Sequence, residues 1–175
     1  MKNISTKRKS AFVVFLILTV LWMAVIYGFS GSDGEKSKSQ SREISEKIAL
    51  TIEPDYEIPE RLIKGEFMTN VITAVRKSAH LIVFTVLGAL SYCTAGTIVL
   101  KSGGVFKPAL FSVPFSILYA VSDEIHQRFV EGRFGTVRDV CIDSAGVLIG
   151  TSAMILFVTI ARRVKRKKYD KIHKR

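Results

Sequence analysis

The sequence predicts an all-α, membrane-integral fold: a polytopic four-transmembrane-helix bundle with one or two amphipathic helices in the first extracytoplasmic segment. Three observations carry this. Apolar residues come in long blocks, two of those blocks (11–29 and 81–100) contain no charged residue, and the basic residues gather outside them. At about 1.5 Å of rise per residue, either block crosses a hydrocarbon core of about 30 Å. Backbone polar groups in lipid must pair internally, which leaves helices or a closed barrel. Barrel strands alternate polar and apolar residues over about 10 positions, whereas these blocks are uniformly apolar.

The elements follow in order. A basic N-terminus (1–10) precedes the first span, 11–29. Gly28 and Ser30 resemble a signal-peptide cleavage site, but the apolar core is longer than the usual ~7–15 residues, so the span is expected to stay as an uncleaved helix. Residues 30–75 form an extracytoplasmic segment that begins as a flexible linker, GSDGEKSKSQSRE. Ile44, Ile48 and Ile52 then recur at helical spacing until Pro54; Leu62, Ile63, Phe67 and Val71 repeat the pattern after Pro59. Both read as amphipathic helices that cover the ends of the spans or act as a substrate lid. The second is expected to run into the next span through Arg76 and Lys77.

The core of the chain is 76–160, with the second span at about 78–100. A third, at about 105–125, is shorter and reads as kinked by Pro114. In the fourth, about 140–160, the only charge is Asp143, near one end. Residues 161–175 form a basic tail.

A net charge of +11 would suit nucleic acid, but its placement excludes that reading. Lys2, Lys7, Arg8 and Lys9 precede the first span, nine Lys and Arg residues follow the last, and Lys101 and Lys107 lie between the second and third. The positive-inside rule makes all three places cytoplasmic, and an even number of spans is compatible with both termini there. The tail is then a topology anchor attracted to anionic lipid. The segment 31–75, with nine acidic and six basic residues, fits the outer side. Cys93 sits mid-span and Cys141 near a span's end; at different depths they are expected to be two buried free thiols.

This topology gathers the polar motifs at the outer side. Arg76, Lys77 and His80 open the second span; Asp123, Glu124, His126 and Gln127 close the third; Asp139 and Asp143 open the fourth. Arg76 and His80 share a helix face, as do Asp139 and Asp143, and Asp123, His126 and Gln127 fall within one arc. Gly146 and Gly150 continue the Asp143 face as a small-xxx-small step where a neighbouring helix can approach. In the loop between the last two spans, Gly132 and Gly135 allow a tight turn with positive φ that presents Arg133 at the outer surface. There its planar fork suits a phosphate or carboxylate, unless an ion pair with Glu131 or Asp139 occupies it.

Ionisable groups at membrane depth cost roughly 2.5–3.5 kcal/mol each on insertion scales, so such a cluster either pairs internally or does chemistry. Carboxylates and histidine could act as general acid and base, with Glu124, His126, Asp123 and His80 the candidates. His80, Glu124, His126 and Asp139 are possible metal ligands, but no HExxH or comparable spacing occurs, so neither metal nor other cofactor is expected. No GxSxG elbow, SxxK pair or phosphate-cradling glycine loop is present. The competing role for the cluster is an interhelical salt-bridge network. A channel is disfavoured, because the second span offers little besides Ser91, Thr94 and Thr97 to line a pore.

The order R-K-x-x-H before an apolar span, then DE-x-HQ-x-F, a G-R loop, and D-x-x-x-D followed by G-x-x-x-G resembles the VanZ-like family of bacterial membrane proteins. Here these are Arg76, Lys77 and His80; Asp123, Glu124, His126, Gln127 and Phe129; Gly132 and Arg133; and Asp139, Asp143, Gly146 and Gly150. The resemblance covers about 76–159. It implies a cell-envelope protein whose name-giving relative is associated with lowered susceptibility to the glycopeptide teicoplanin, without the usual D-Ala-D-Lac change in the precursor. It carries no catalytic mechanism.

Two functions are therefore weighed. One is a non-enzymatic factor that binds or shields an outer-leaflet lipid or lipid-linked precursor through Arg76, Lys77, His80, Asp123, Glu124, His126, Gln127, Arg133, Asp139 and Asp143. The alternative is a hydrolase or transferase acting on a lipid-linked phosphate or cell-wall intermediate, with His126 or His80 assisted by Asp123 or Glu124.

Overall fold

A computed structural model describes residues 6–31, 39, 43, 44, 66–99, 104–133 and 135–173. Among the described residues the architecture is all-helical: α1 (Thr6–Ser30), α2 (Glu66–Val99), α3 (Ala109–Gln127) and α4 (Val137–His173). Three of these, α1, α2 from Asn70 and α4, are long and apolar enough to cross a membrane. The 19-residue α3 is not one of them, because its last turn carries Asp123, Glu124, His126 and Gln127 in place of apolar residues.

Each element has a local cause. Both α1 and the span of α2 grow from the uninterrupted apolar blocks. Helix α2 also extends N-terminally to Glu66, so Arg76 and Lys77 lie within one continuous helix. Of the predicted amphipathic stretches, the first, with Ile48 and Ile52, and the Leu62–Ile63 part of the second lie largely outside the described residues. Pro108 precedes α3, and Pro114 lies inside it. Proline lacks an N–H, so one rung of that helix's ladder is missing. Thr136 caps α4: its Oγ1 accepts the Asp139 N–H at 3.2 Å and donates to Asp139 Oδ2 at 2.9 Å, an arrangement that satisfies one of the orphan donors of the first turn. Nothing in the tail breaks that helix, so α4 continues through the basic residues to His173, past the expected span end at 160.

Packing centres on α2, which touches the other three helices; α4 is its closest neighbour, and α1 and α4 do not meet. The α2–α4 contact is a backbone approach. A Cβ on Gly146 would meet the Leu81 carbonyl, one on Gly150 the Thr85 carbonyl, and one on Gly88 the Val147 carbonyl. Gly146 and Gly150 thus serve as the packing step their spacing implies, and Gly88 answers them from the facing helix. Helix α1 is fastened by polar contacts: Trp22 Nε1 donates to the Val83 carbonyl at 2.8 Å, Tyr119 Oη donates to the Met23 carbonyl at 2.6 Å, and Thr19 and Thr94 hydroxyls lie 3.0 Å apart.

The buried apolar centre is Ile26, Phe84, Leu87, Ala120 and Val147. Many large apolar side chains are exposed instead, among them Val14, Val20 and Leu21 on α1, Leu110, Phe111 and Leu118 on α3, and Leu156 and Phe157 on α4. A water-soluble monomer rarely shows so much apolar surface. The exposure suits lipid as the surrounding solvent. Neither cysteine is paired; Cys141 is exposed, contrary to the expectation of burial, because it lies on the side of α4 turned from its neighbours.

Candidate functional site

All the polar motifs lie at one end of the bundle, where α1 and α3 finish and the spans of α2 and α4 begin. There α3 contributes Asp123, Glu124 and Gln127, α2 contributes His80 and α4 contributes Asp143. One ligand-type atom from each of His80, Asp123, Glu124 and Asp143 lies within 4.8 Å of the others. Exposure is 3% at Asp123, 4% at Glu124 and 0% at Asp143.

Hydrogen bonds hold part of this set. Asp123 Oδ2 accepts from Ser30 Oγ at 2.8 Å and from Gln127 Nε2 at 3.0 Å. Glu124 Oε1 accepts from the same Gln127 nitrogen at 3.1 Å, and its Oε2 accepts from the Thr136 N–H at 3.0 Å. His80 Nδ1 and Asp143 Oδ1 are 3.4 Å apart as an ion pair, yet among the described residues neither atom makes a hydrogen bond, nor do Asp143 Oδ2 and Asp123 Oδ1. Two like unit charges 4.8 Å apart repel by about 3.5 kcal/mol at an effective dielectric of about 20. Three carboxylates and one imidazole therefore form an electrostatically incomplete set when all are ionised.

Other predicted residues lie around this centre. Asp139 pairs with Lys77 at 3.5 Å. Arg76 lines two cavities. One, of about 10 Å³, is shared with Lys77, His80, Glu124, Gln127, Asp139, Ile142 and Asp143. The other, of about 210 Å³, is mostly apolar, with Ile26, Phe29, Val75, Ala79 and Val83 beside Arg76, His80 and Arg133.

Three expectations need correction. Arg133 is not presented at the surface: it is 6% exposed and its Nη2 donates to the Phe29 carbonyl at 3.0 Å, in place of an ion pair with Glu131 or Asp139 among the described residues. The cause is the preceding Gly132, whose φ of 72° turns the chain inward, and the unpaired carbonyls at the end of α1, which accept a cationic donor. Burial and the nearby Arg76 push the Arg133 guanidinium below its usual pKa, while Asp123 and Glu124 pull it back. Gly135 does not have a positive φ; it is needed because a Cβ there would strike the Glu124 carbonyl.

His126 is the third. It leaves the cluster and stacks on Tyr27 of α1 with ring centroids 4.3 Å apart, its Nε2 buried without a hydrogen-bond partner among the described residues. Residues two apart on a helix diverge by about 200°, so Glu124 and His126 address different neighbours. The possible ligand set named from sequence, His80, Glu124, His126 and Asp139, is thus replaced in space by His80, Asp123, Glu124 and Asp143. Sequence reasoning also overlooked Ser30, Thr136 and the Phe29 carbonyl. Thr136 was readable as the cap in T-x-x-D; Ser30 and Phe29 had no signal beyond their place at the end of an apolar block.

A family model described as VanZ/LLP1 matches residues 15–159. The chain belongs to the VanZ/LLP1 family. The match spans every residue of the polar centre and the facing part of α1, so in this VanZ/LLP1 protein Ser30 and Tyr27 lie in the matched region together with His80, Glu124 and Asp143. No curated protein and no solved structure matches the chain.

Proposed function

We propose that this VanZ/LLP1 protein binds an outer-leaflet lipid or lipid-linked cell-wall precursor in the bacterial membrane, and that shielding this lipid lowers susceptibility to lipophilic glycopeptides such as teicoplanin. One observation carries the reading: Arg76, His80 and Arg133 line the same cavity as Ile26, Phe29, Val75, Ala79 and Val83. A matching ligand has an anionic head for the guanidinium groups and an apolar body for the wall. That is the chemistry of a lipid phosphate.

Topology supports access from the outer leaflet. Helix α3 acts as the third of four spans in this reading, its exposed Leu110, Phe111, Phe115 and Leu118 facing acyl chains. With four spans, the positive-inside rule keeps both basic termini in the cytoplasm and puts the cavity at the opposite surface. The basic extension of α4 then attracts anionic lipid of the inner leaflet. The test compares teicoplanin with a glycopeptide lacking the acyl tail, in cells with and without the protein. A larger loss of susceptibility to teicoplanin is expected, and equal shifts for both drugs contradict the lipid-dependent account.

The burial of His80 with three carboxylates favours a second reading, a hydrolase or transferase acting on a lipid-linked phosphate. It predicts that Glu124→Gln abolishes turnover of such a lipid while expression and melting stay unchanged. Disappearance of the variant from the membrane would instead assign Glu124 to folding.

A further inference from the structure

The polar centre holds more acceptor capacity than its neighbours use. Asp143 is fully buried, and among the described residues neither of its carboxylate oxygens makes a hydrogen bond, its one charged contact being the ion pair with His80; Asp123 Oδ1 and His80 Nδ1 also lack hydrogen bonds among the described residues. These groups come from three helices, and with Glu124 they bring four ligand-type atoms within 4.8 Å of one another. The nearby cations do not close the set: Lys77 pairs with Asp139, Arg133 gives one nitrogen to the Phe29 carbonyl, and Arg76 lines the adjoining cavity, but among the described residues none of the three forms an ion pair with Asp123, Glu124 or Asp143. A water molecule could donate two hydrogen bonds here, but even with His80 protonated it would leave two of the three carboxylate charges uncompensated.

We infer that His80, Asp123, Glu124 and Asp143 bind one divalent transition-metal ion of the Zn²⁺ or Mn²⁺ class. Imidazole nitrogen selects against Mg²⁺ and Ca²⁺, whereas carboxylate oxygens suit a hard or borderline cation, and this mixed set satisfies both demands. The second shell is also built. Ser30 and Gln127 hold Asp123 through Oδ2, and Gln127 and the Thr136 N–H orient Glu124, as outer partners orient carboxylate ligands in metal sites. The adjoining cavity of about 10 Å³, lined by His80, Glu124, Asp139 and Asp143, has room for about one water-sized ligand. The inference does not depend on whether the larger apolar cavity holds a lipid.

The experiment uses the full chain in detergent, stripped with a chelator and titrated with Zn²⁺ or Mn²⁺ alone, with calorimetry and thermal melting as readouts. Wild type is expected to bind about one ion per chain and to melt higher when loaded, because a ligand that binds only the folded state stabilises it. Asp143→Asn should weaken binding at least tenfold, while Glu131→Gln, an exposed carboxylate in the loop after α3 and outside the cavity, should bind as wild type does. In the stripped state Asp143→Asn should melt at or above wild type, since it removes a buried, uncompensated charge. The inference is overturned by the absence of saturable binding, by binding that Asp143→Asn leaves intact, or by equal loss in Glu131→Gln. A stripped Asp143→Asn protein that melts well below wild type would also overturn it, by making Asp143 a structural ion-pair partner of His80. Should Asp143→Asn yield no folded protein, Asp123→Asn takes its place under the same criteria.

Discussion

At the residue scale, what distinguishes this site is how differently neighbouring side chains are provided for. Glu124 has a donor for each oxygen, Asp123 for only one, and Asp143 for neither. The unmet demand concentrates on the residue with least access to solvent. Thr136 illustrates a different economy, since its backbone serves Glu124 while its side chain caps α4. Thr136→Ala keeps the first bond and loses the second. The expected cost is about 0.5–2 kcal/mol, the usual range for a lost helix cap, read as a lower melting temperature without loss of the Glu124 contact. The residue types at the site were legible in the sequence because ionisable groups beside apolar blocks are rare. Which of them converge was less so. Membership of one helical arc places Asp123 with both His126 and Gln127, and only the positions of α1 and α4 decide that His126 turns to Tyr27.

At the element scale, the spans were readable from apolar blocks, while their ends were not. Helix α4 continues to His173 because arginine and lysine favour helix and no glycine or proline intervenes after Gly150. The inward turn of Arg133 is not legible in the loop, because the direction taken after Gly132 depends on where α1 ends. The pairing of α2 and α4 makes a sharper prediction. Gly150→Val forces a side chain against the Thr85 backbone and should destabilise the protein by about 1–3 kcal/mol, as overpacking does. Gly28 has open space at its Cβ position, so Gly28→Ala should melt at or slightly above wild type, because alanine is the better helix former by up to about 1 kcal/mol. Thermal melting of both variants in one detergent checks the pair.

At the scale of the whole molecule, α2 is the common support: it meets α1, α3 and α4 and carries Arg76, Lys77 and His80 into the centre. The all-helical, membrane-type architecture and the family were both legible from blocks of hydropathy and from motif order. A count of four spans requires α3 to cross the membrane, although its final turn carries the site's own acids in place of apolar residues. Reporter tags on the two termini test it: the four-span reading predicts both in the cytoplasm, and tags on opposite sides would remove α3 from the membrane. The central claim is that guanidinium groups and an apolar wall together hold a lipid phosphate. Its most direct measure is lipid phosphorus retained per purified chain, in wild type and in an Arg76→Gln/Arg133→Gln variant matched for folding by circular dichroism. The account predicts that wild type keeps an anionic lipid through detergent exchange and the variant loses most of it; equal retention by the two proteins would contradict the claim.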